Sequence, residues 1–135
     1  LLRRQMDAGI PAVVLAGTTG ESATLSDEEK IELFRRCKDY AGKSCKIIAG
    51  TGSNSTQHAV QLSKDAEIAG ADALLVVSPY YNKATPEGMY LHYMAIAHAV
   101  NIPIIIYNPN IIIIIPIPIP VSPFIKFELY ISVLA

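Results

Sequence analysis

Short apolar runs alternate along the chain with amphipathic segments of helical period. The runs are Ile10–Ala16, Lys46–Gly50, Ala73–Ser78 and Ile104–Ile106, roughly thirty residues apart. Each run is aliphatic or β-branched and apolar on both faces, which predicts strands of a buried parallel sheet. We therefore predict an α/β fold built of successive βα units, either a (β/α)8 barrel or an open doubly wound sheet.

The segments between these runs carry recognisable helix ends. Ser26 and Glu29 have the spacing of a capping box, and Gly42 ends the helix that they begin. Thr85, followed by Pro86, predicts the start of a later helix, because proline is tolerated at the first helical position. The predicted inner faces of the three helices are Ile31, Phe34, Cys37 or Lys38, and Ala41; Ala59, Leu62, Ala66 and Ala69; and Met89, Tyr93, Ile96 and Val100.

Each predicted strand is followed by a polar motif. The motifs are GTTGES from Gly17, GTGSN from Gly50, SPYYN from Ser78 and YNPN from Tyr107. In both candidate architectures ligands bind at the carboxyl ends of the strands, so we expect these motifs to converge on one face. GTTGES is the first candidate for a ligand-facing loop, because glycines allow close approach of the backbone and hydroxyls both donate and accept.

The glycine motifs fit phosphate binding poorly. GTTGES lacks the GxxxxGK[ST] pattern, and residues 50–55 depart from GxGxxG at the last position. The alternative for Thr18 and Thr19 is a turn whose hydroxyls bond their own backbone. Each of Tyr80, Tyr81 and Tyr107 alone would be a packing residue, but beside Thr18 at one edge of a sheet their phenols could form a proton relay.

The overall charge is close to neutral, since 11 Lys and Arg oppose 12 Asp and Glu for a formal net charge of −1. This balance favours a small anionic metabolite over nucleic acid or a membrane surface. The apolar stretch from Ile102 is broken by Asn108, Asn110 and prolines, which argues against a membrane helix. We predict a cytoplasmic protein, because no secretory signal is visible and Cys37 and Cys45 fit neither a CxxC nor a zinc spacing.

The histidines give no sign of a metal site. His58, His92 and His98 have no carboxylate or cysteine partner at ligand spacing, so we expect solvated or helix-surface histidines. The acidic run 27–29 is expected to serve the N-terminus of its helix. The sequence therefore predicts neither a metal nor a cofactor.

The pattern changes after Asn110. Five isoleucines, Ile111–Ile115, precede prolines that alternate with isoleucine over residues 116–120. Alternating prolines exclude a central strand or a helix interior. We interpret residues 1–108 as one ordered domain and residues 109–135 as an anomalous Ile/Pro-rich tail, arising from a frameshift, a truncation with read-through or a poorly assigned trace; the sequence leaves these alternatives open.

Four ordered motifs, at residues 17–25, 48–52, 79–82 and 106–108, resemble those of the dihydrodipicolinate synthases. These enzymes belong to the pyruvate-dependent class I aldolase family that also contains N-acetylneuraminate lyase, and GTTGESATL with PYYN favours the synthase branch. The resemblance covers about residues 1–108. It implies a (β/α)8 TIM barrel, of which this chain would hold about four βα units.

The resemblance implies that pyruvate forms a Schiff base with a lysine and condenses with aspartate 4-semialdehyde, on the path to lysine and diaminopimelate. Thr18, Tyr81 and Tyr107 match the family's proton-relay hydroxyls. Tyr81 matches the tyrosine that crosses a dimer interface, which implies a homo-oligomer, commonly a tetramer. Thr19 matches the threonine that holds the pyruvate carboxylate, in a turn that Gly17 and Gly20 shape.

The chain also departs from the family's pattern. No arginine follows Asn108, and Lys126 is the remaining lysine of the region, at an offset too short for the Schiff-base lysine. Lys126 is therefore either that nucleophile or a solvated lysine. We expect a fragment or a damaged product of an active enzyme; the alternatives are another pyruvate aldolase, for sialic acid or keto-sugar acids, and a noncatalytic fragment.

Lysine-inhibited members of the family have an inhibitor pocket that resembles the surroundings of five residues of this chain: Ser22, Ala23, Asn54, His58 and Tyr80. The family has a glutamate where this chain has His58 and a histidine where it has Lys30. Because the acid that pairs with the ammonium group of lysine is lost, the resemblance predicts weak inhibition by lysine or none.

Overall fold

The computed structural model of the chain describes residues 1–108 and 111–115. The elements, in chain order, are α1 Leu2–Asp7, β1 Ala12–Leu15, a 3₁₀ turn Thr18–Gly20, α2 Asp27–Ala41, β2 Lys46–Gly50, α3 Thr56–Ile68, β3 Ala73–Val77, α4 Pro86–Ala97, β4 Ile104–Asn108 and β5 Ile111–Ile115. The proline-containing part of the tail, with Lys126, lies outside the described residues. The domain boundary at residue 108 stays a prediction.

The sheet has the strand order β1-β2-β3-β4-β5, and β1 to β4 are parallel. Representative register pairs are Val13 with Ile47 and Leu74 with Ile104. Each parallel strand therefore lies beside its neighbour in sequence, as in a barrel wall, whereas the strand order of a doubly wound sheet reverses at a switch point. This order decides between the two architectures and confirms the prediction of a partial barrel of about four βα units.

Strand β5 is absent from the sequence interpretation, which treated the isoleucine run only as part of a tail. In the structure β5 pairs antiparallel with β4, with Ile111 opposite Asn108 and Ile115 opposite Ile104. A run of β-branched residues has a high strand propensity, and the free edge of β4 offers it unpaired backbone groups. An antiparallel strand thus occupies the edge of β4 where a barrel would continue with a parallel one.

The helices cover one face of the sheet. Phe34, Leu74, Ile96 and Ile104 are at most 1% exposed and belong to one core cluster. Burial alternates along β3: every second residue, such as Leu74, is buried against the helices, while Leu75 on the other face is half-buried. The face opposite the helices is thus less covered, as expected for an open part of a barrel.

The predicted helix ends are confirmed. The Glu29 amide donates to Ser26 Oγ at 3.2 Å and the Ser26 amide donates to Glu29 Oε2 at 2.8 Å, which completes the capping box of α2. Gly42 follows this helix with a φ of 55°. At the start of α4, the Gly88 amide donates to Thr85 Oγ1 at 3.1 Å. These bonds satisfy amides that a helix N-terminus leaves without a partner.

Asp72 joins the end of α2 to the starts of β2 and β3. Its Oδ2 accepts from Lys38 Nζ at 2.7 Å and from the Ile47 amide at 2.9 Å, and its Oδ1 accepts from Lys46 Nζ at 3.0 Å. Burial acts to raise the pKa of Asp72, but the bond from the Ile47 amide and the two lysines outweigh it and lower the pKa below its ordinary 3.8. The carboxylate is therefore stabilised in its charged form.

We expect Asp72→Asn to lower the free energy of unfolding at neutral pH by about 1–3 kcal/mol, because two ammonium groups lose a charged acceptor. A carboxyl whose pKa is depressed on folding stabilises the fold above its unfolded pKa and loses that contribution as pH falls through the folded pKa. The wild type should thus lose more stability than the variant below about pH 4. Urea unfolding, followed by circular dichroism across pH, measures the difference.

The matched control is Asp39→Asn, since the Asp39 side chain, next to Lys38 on α2, is 72% exposed. This exposed carboxylate lies 4.0 Å from Arg35, and its replacement should leave the unfolding curve almost unchanged. Equal losses of stability on acidification in the wild type and in Asp72→Asn would contradict the role assigned to Asp72.

Candidate active site

The polar motifs lie along one edge of the sheet, where β1 to β4 end; we call this the carboxyl edge. Leu15 pairs with Ala49 and Val77 pairs with Tyr107, so neighbouring strands end close to one another. Strands in a sheet are about 4.8 Å apart. The convergence of the strand-end motifs on one edge, inferred from the sequence, thus follows from the parallel register.

The GTTGES loop forms a tight turn after β1. The Gly20 amide donates to the Gly17 carbonyl at 3.0 Å, and the Glu21 amide donates to the Thr18 carbonyl at 3.1 Å. Thr18 and Thr19 are both exposed. The backbone of the turn is thus largely bonded to itself, which leaves two hydroxyl-bearing side chains at the surface of the carboxyl edge.

Close approach of the backbone occurs at Gly50 and Gly52. A Cβ at Gly50 would collide with the Ala16 carbonyl, and one at Gly52 would collide with the Val77 amide nitrogen and lie 2.6 Å from Val77 Cγ1. Side chains have no room at either position. These two glycines therefore hold the loops after β1 and β2, and the end of β3, against each other.

Gly17 and Gly20, which the sequence analysis singled out, are less constrained. Gly17 has an ordinary φ of −77°, and a Cβ there would make only an ordinary contact at 3.6 Å, with Val14. A Cβ at Gly20 would meet open space. Close backbone contacts thus exclude a side chain at Gly50 and Gly52 rather than at Gly17 and Gly20. The assignment of Gly17 and Gly20 to substrate binding stays a prediction.

Backbone strain is concentrated at the carboxyl edge. Among the described residues, the non-glycine residues with a positive φ are Ala16 at 52°, Glu21 at 53° and Tyr81 at 65°. All three lie in the loops that follow β1 and β3. Such conformations cost on the order of 1–3 kcal/mol each and tend to persist at functional sites. The strain supports the choice of these loops as the candidate site.

The PYYN loop after β3 presents two tyrosines to solvent. Tyr80 and Tyr81 are 47% and 97% exposed, with their rings edge to face and centroids 6.3 Å apart. Asn82 Nδ2 donates to the Asn54 carbonyl at 2.7 Å and ties this loop to the loop after β2. Because the Tyr81 side chain is almost wholly exposed, a single chain does not bring its phenol into contact with Thr18 or Tyr107.

Tyr107 lies at the next-to-last position of β4, opposite Val77, and is 38% exposed. Its carbonyl accepts a hydrogen bond from the Ser78 amide at 2.9 Å. Ser78 in turn accepts a bond from the hydroxyl of Tyr93 on α4 at 2.9 Å. Backbone pairing at the carboxyl edge therefore fixes the position of the Tyr107 main chain, from which the ring extends.

His92 is not on the helix surface, and that prediction is wrong. The residue is 4% exposed, and its Nδ1 lies 2.8 Å from Thr56 Oγ1 at the start of α3. Burial lowers the pKa of His92, which favours the neutral ring. Its helical face points inward because α4 packs beside α3, a contact that the spacing of histidines along the chain does not reveal. His98 is exposed, as predicted.

His58 also has partners that the sequence analysis missed. Its Nε2 lies 2.6 Å from Asp27 Oδ2 and its Nδ1 lies 3.1 Å from Ser53 Oγ, while Lys30 Nζ lies 3.3 Å from Asp27 Oδ1. Burial acts to raise the pKa of Asp27, but the hydrogen bonds and charges of His58 and Lys30 outweigh burial and lower the pKa below its ordinary value. Asp27 is thus more than a helix-terminus acid. The partners were missed because 31 residues separate Asp27 from His58.

The remaining features of the described residues that bear on function are their candidate metal ligands, their cysteines and the length of their helices. No cluster of three or more His, Cys, Asp or Glu side chains there could hold a metal ion. Cys37 and Cys45 are free thiols, and burial raises the pKa of each. Across residues 1–108 and 111–115, every helix is too short or too polar to cross a membrane.

Comparison with known proteins identifies what this arrangement is similar to. The sequence model of the Dihydrodipicolinate synthetase family matches residues 1–112. The 4-hydroxy-tetrahydrodipicolinate synthase of Chlorobium limicola is 53% identical over 108 residues, which cover 80% of this chain and 36% of that protein. These matches confirm the resemblance carried by the four ordered motifs.

Solved structures agree with the sequence matches. The chloride-inhibited dihydrodipicolinate synthase of Acinetobacter baumannii, complexed with pyruvate, superposes with a TM-score of 0.77 at 50% identity, over 79% of this chain and 37% of that one. The lysine-bound synthase of Cyanidioschyzon merolae gives a TM-score of 0.76 at 45% identity, over the same shares. The chain therefore spans little more than a third of the length of these relatives.

Proposed function

The chain belongs to the dihydrodipicolinate synthetase family, and we propose that the whole protein is a lyase that condenses pyruvate with aspartate 4-semialdehyde through a lysine Schiff base. One observation supports the proposal: Thr18 follows β1 and Tyr107 is the next-to-last residue of β4, so both lie at the carboxyl edge of the parallel strands. Both residues match the family's motifs. Such an enzyme acts in lysine and diaminopimelate biosynthesis, in the cytoplasm.

The reaction explains why hydroxyl side chains would be placed at the carboxyl edge. A lysine amine adds to the pyruvate carbonyl and water leaves; a methyl proton is then removed, and the resulting enamine carbon bonds to the aldehyde carbon of the second substrate. Every step moves a proton, and positioned hydroxyls can carry it. We assign this relay to Thr18, Tyr107 and Tyr81.

Thr19 is proposed to bind the pyruvate carboxylate. The Gly20 amide already donates to the Gly17 carbonyl within the turn. The two glycines therefore shape the turn, and the exposed Thr19 hydroxyl supplies the contact. A hydroxyl can hold a carboxylate without adding a full charge to the site.

Tyr81 is proposed to act in a second copy of the chain. Its backbone has a φ of 65° and its ring is 97% exposed, so the loop presents a large amphipathic side chain away from its own sheet. Tyrosine is favoured at protein interfaces because one end of the ring is apolar and the other forms hydrogen bonds. We therefore propose a homo-oligomer, with a dimer as its smallest unit and a tetramer as the family's common form.

The test is a graft in which residues 1–108 replace the matching segment of the C. limicola synthase, which supplies the rest of the barrel. Treatment with pyruvate and borohydride, followed by peptide mass analysis, should show a lysine adduct, and aspartate 4-semialdehyde should be consumed. Turnover of sialic acid or keto-sugar acids instead would favour another aldolase. A folded graft that gives no adduct would favour a noncatalytic binding module.

The same trapping, applied to the 135-residue chain, tests Lys126. An adduct on Lys126 would identify it as the nucleophile. Recovery of the unmodified peptide from a folded chain would leave it as a solvated lysine, and would make this chain an inactive fragment.

We expect L-lysine to inhibit the graft weakly or not at all. The Asp27 carboxylate is already paired with His58 at 2.6 Å and with Lys30 at 3.3 Å, so an incoming ammonium group would have to displace one of them. Initial rates across a millimolar range of L-lysine measure this. The matched variant is His58→Glu, which restores the family's acid and should strengthen inhibition; inhibition of the unmodified graft by micromolar lysine would contradict the prediction.

A further inference from the structure

Tyr93 is a buried tyrosine whose hydroxyl is directed to the carboxyl edge. It lies on α4, is 7% exposed, and donates its phenolic hydrogen to Ser78 Oγ at 2.9 Å. A buried tyrosine hydroxyl needs a partner, and any acceptor of the helix layer could have served. This one bonds to the residue that follows β3, beside the end of β4.

Ser78 in turn forms hydrogen bonds to the backbone of Tyr107. The Ser78 amide donates to the Tyr107 carbonyl at 2.9 Å, and its hydroxyl donates to the same oxygen at 3.4 Å. A carbonyl oxygen has two lone pairs and can accept both bonds. The hydroxyl bond is long, so the amide bond is the stronger of the two.

The side-chain hydrogen bonds run in one direction, from the Tyr93 hydroxyl to Ser78 Oγ and from there to the Tyr107 carbonyl. Because Tyr93 donates to Ser78 Oγ, the serine hydroxyl is free to turn its own hydrogen toward the Tyr107 carbonyl. Removal of the Tyr93 hydroxyl would leave Ser78 Oγ without its donor and free to rotate away. The backbone of Tyr107 would then keep one bond from Ser78 instead of two.

The Tyr107 ring lies apart from the helix-facing core, on the face of the sheet opposite the helices. Tyr107 is 38% exposed and stands in register between Val77 on β3 and Ile112 on β5. Its position therefore depends on the backbone of β4 from which it extends. A displacement of about 1 Å of a catalytic group can cost on the order of a hundredfold in rate.

We infer that Tyr93 and Ser78 are positioning residues that hold the backbone of Tyr107 so that its phenol meets the reacting groups. This inference rests on the proposed function for its catalytic consequence. Neither residue needs to touch substrate: Tyr93 is enclosed in the core, and Ser78 acts through the carbonyl of Tyr107.

In the graft, we expect Tyr93→Phe to lower kcat about tenfold while KM for pyruvate changes less than about twofold, because proton transfer rather than carboxylate binding is disturbed. Ser78→Ala should have a similar effect, and Ser78→Thr should restore most of the rate, since it keeps the hydroxyl. The control is Tyr90→Phe on the same helix, whose side chain is 59% exposed and whose replacement should change nothing.

Unfolding by urea is measured on the same variants. Unchanged kcat in Tyr93→Phe, alongside a lower free energy of unfolding, would overturn the inference and leave the bond as a structural one. Equal losses of kcat in Ser78→Ala and Ser78→Thr would overturn it as well, because the hydroxyl would then be irrelevant.

A readout that does not require turnover separates this inference from the proposed function. In the 135-residue chain carrying ¹³C-labelled tyrosine, Tyr93→Phe should shift or broaden the ring resonance of Tyr107, whereas Tyr90→Phe should not. If the parent graft forms no pyruvate adduct, the proposed function fails; if the Tyr107 resonance is identical in both variants, the positioning role fails.

Discussion

Replacing Tyr107 with phenylalanine in the graft is expected to lower kcat about a hundredfold or more, with KM for pyruvate nearly unchanged. General acid–base catalysis by a positioned group typically contributes 10²–10⁴-fold, and the substitution removes only the hydroxyl. Because Tyr107 is 38% exposed on a strand that its backbone bonds keep in register, the variant should fold normally. Steady-state rates with both substrates, together with circular dichroism, measure the two quantities.

Borohydride trapping shows which step of the reaction is slowed in the Tyr107→Phe graft. If Tyr107 relays protons, the variant should form the pyruvate adduct more slowly but to the same final extent as the parent. The control is Tyr40→Phe, a 58%-exposed tyrosine on α2 far in sequence from the carboxyl edge. A Tyr107→Phe graft with parental kcat would remove Tyr107 from the mechanism.

Tyr81 provides a sharper form of the same test, because its phenol is proposed to act in the neighbouring subunit. Tyr81→Phe and Tyr107→Phe grafts should each be nearly inactive alone. Random exchange of their subunits would make half of the dimers mixed, and each mixed dimer would have one intact site of two, so about a quarter of the parental activity should return. Recovery of no activity after confirmed subunit exchange would mean that Tyr81 acts within its own chain.

Much of the fold follows from local sequence patterns. Ser26 with Glu29 and Thr85 with Pro86 determine helix starts through bonds within one turn, so short-range spacing was enough to predict them. Apolar runs predicted the four parallel strands, and the polar residues after each run predicted the carboxyl edge. The choice between barrel and doubly wound sheet needed the strand order, which periodicity alone does not contain.

The interactions that the sequence analysis missed join residues far apart in the chain. Asp27 and His58 are brought together by the packing of α2 beside α3, and neither residue carries a local signal of the other. Tyr93 was correctly predicted as a core residue from its helical spacing, but the acceptor of its hydroxyl, Ser78, depends on where α4 lies against the sheet. Polar pairings of this kind require the tertiary fold.

The site also depends on contacts between backbones that composition does not reveal. Gly50 and Gly52 match no phosphate-binding pattern in the sequence, whereas in the structure Gly50 lets the end of β2 approach Ala16 and Gly52 lets the loop after β2 approach Val77. The positions of the polar motifs at the carboxyl edge therefore depend on the strands that precede them and on the packing of α2, α3 and α4 against the sheet. A substitution that loosens this packing should therefore also disturb the geometry of the candidate site.

Phe34→Ala is expected to lower the free energy of unfolding by about 3–5 kcal/mol, the largest stability effect that we predict. Phe34 lies on α2 with no exposed surface and belongs to the cluster that packs the helices against the sheet. The cluster also contains Ala49, Ala59 and Ala66, whose methyl groups cannot extend into the space that the ring would leave. A cavity should therefore remain, and its cost adds to the lost burial.

A loss of this size is a large fraction of the 5–15 kcal/mol that typically stabilises a domain, and a partial barrel with an open face should be at the low end. We expect the variant chain to be largely unfolded at ambient temperature, as measured by urea unfolding followed by circular dichroism. Tyr40→Ala is the matched control, an aromatic residue of the same helix that is 58% exposed, and it should cost less than about 0.5 kcal/mol. If both variants unfolded at the same urea concentration as the parent, α2 would not be packed on the sheet through Phe34, and the loop that precedes α2 would lack the support on which the candidate site depends.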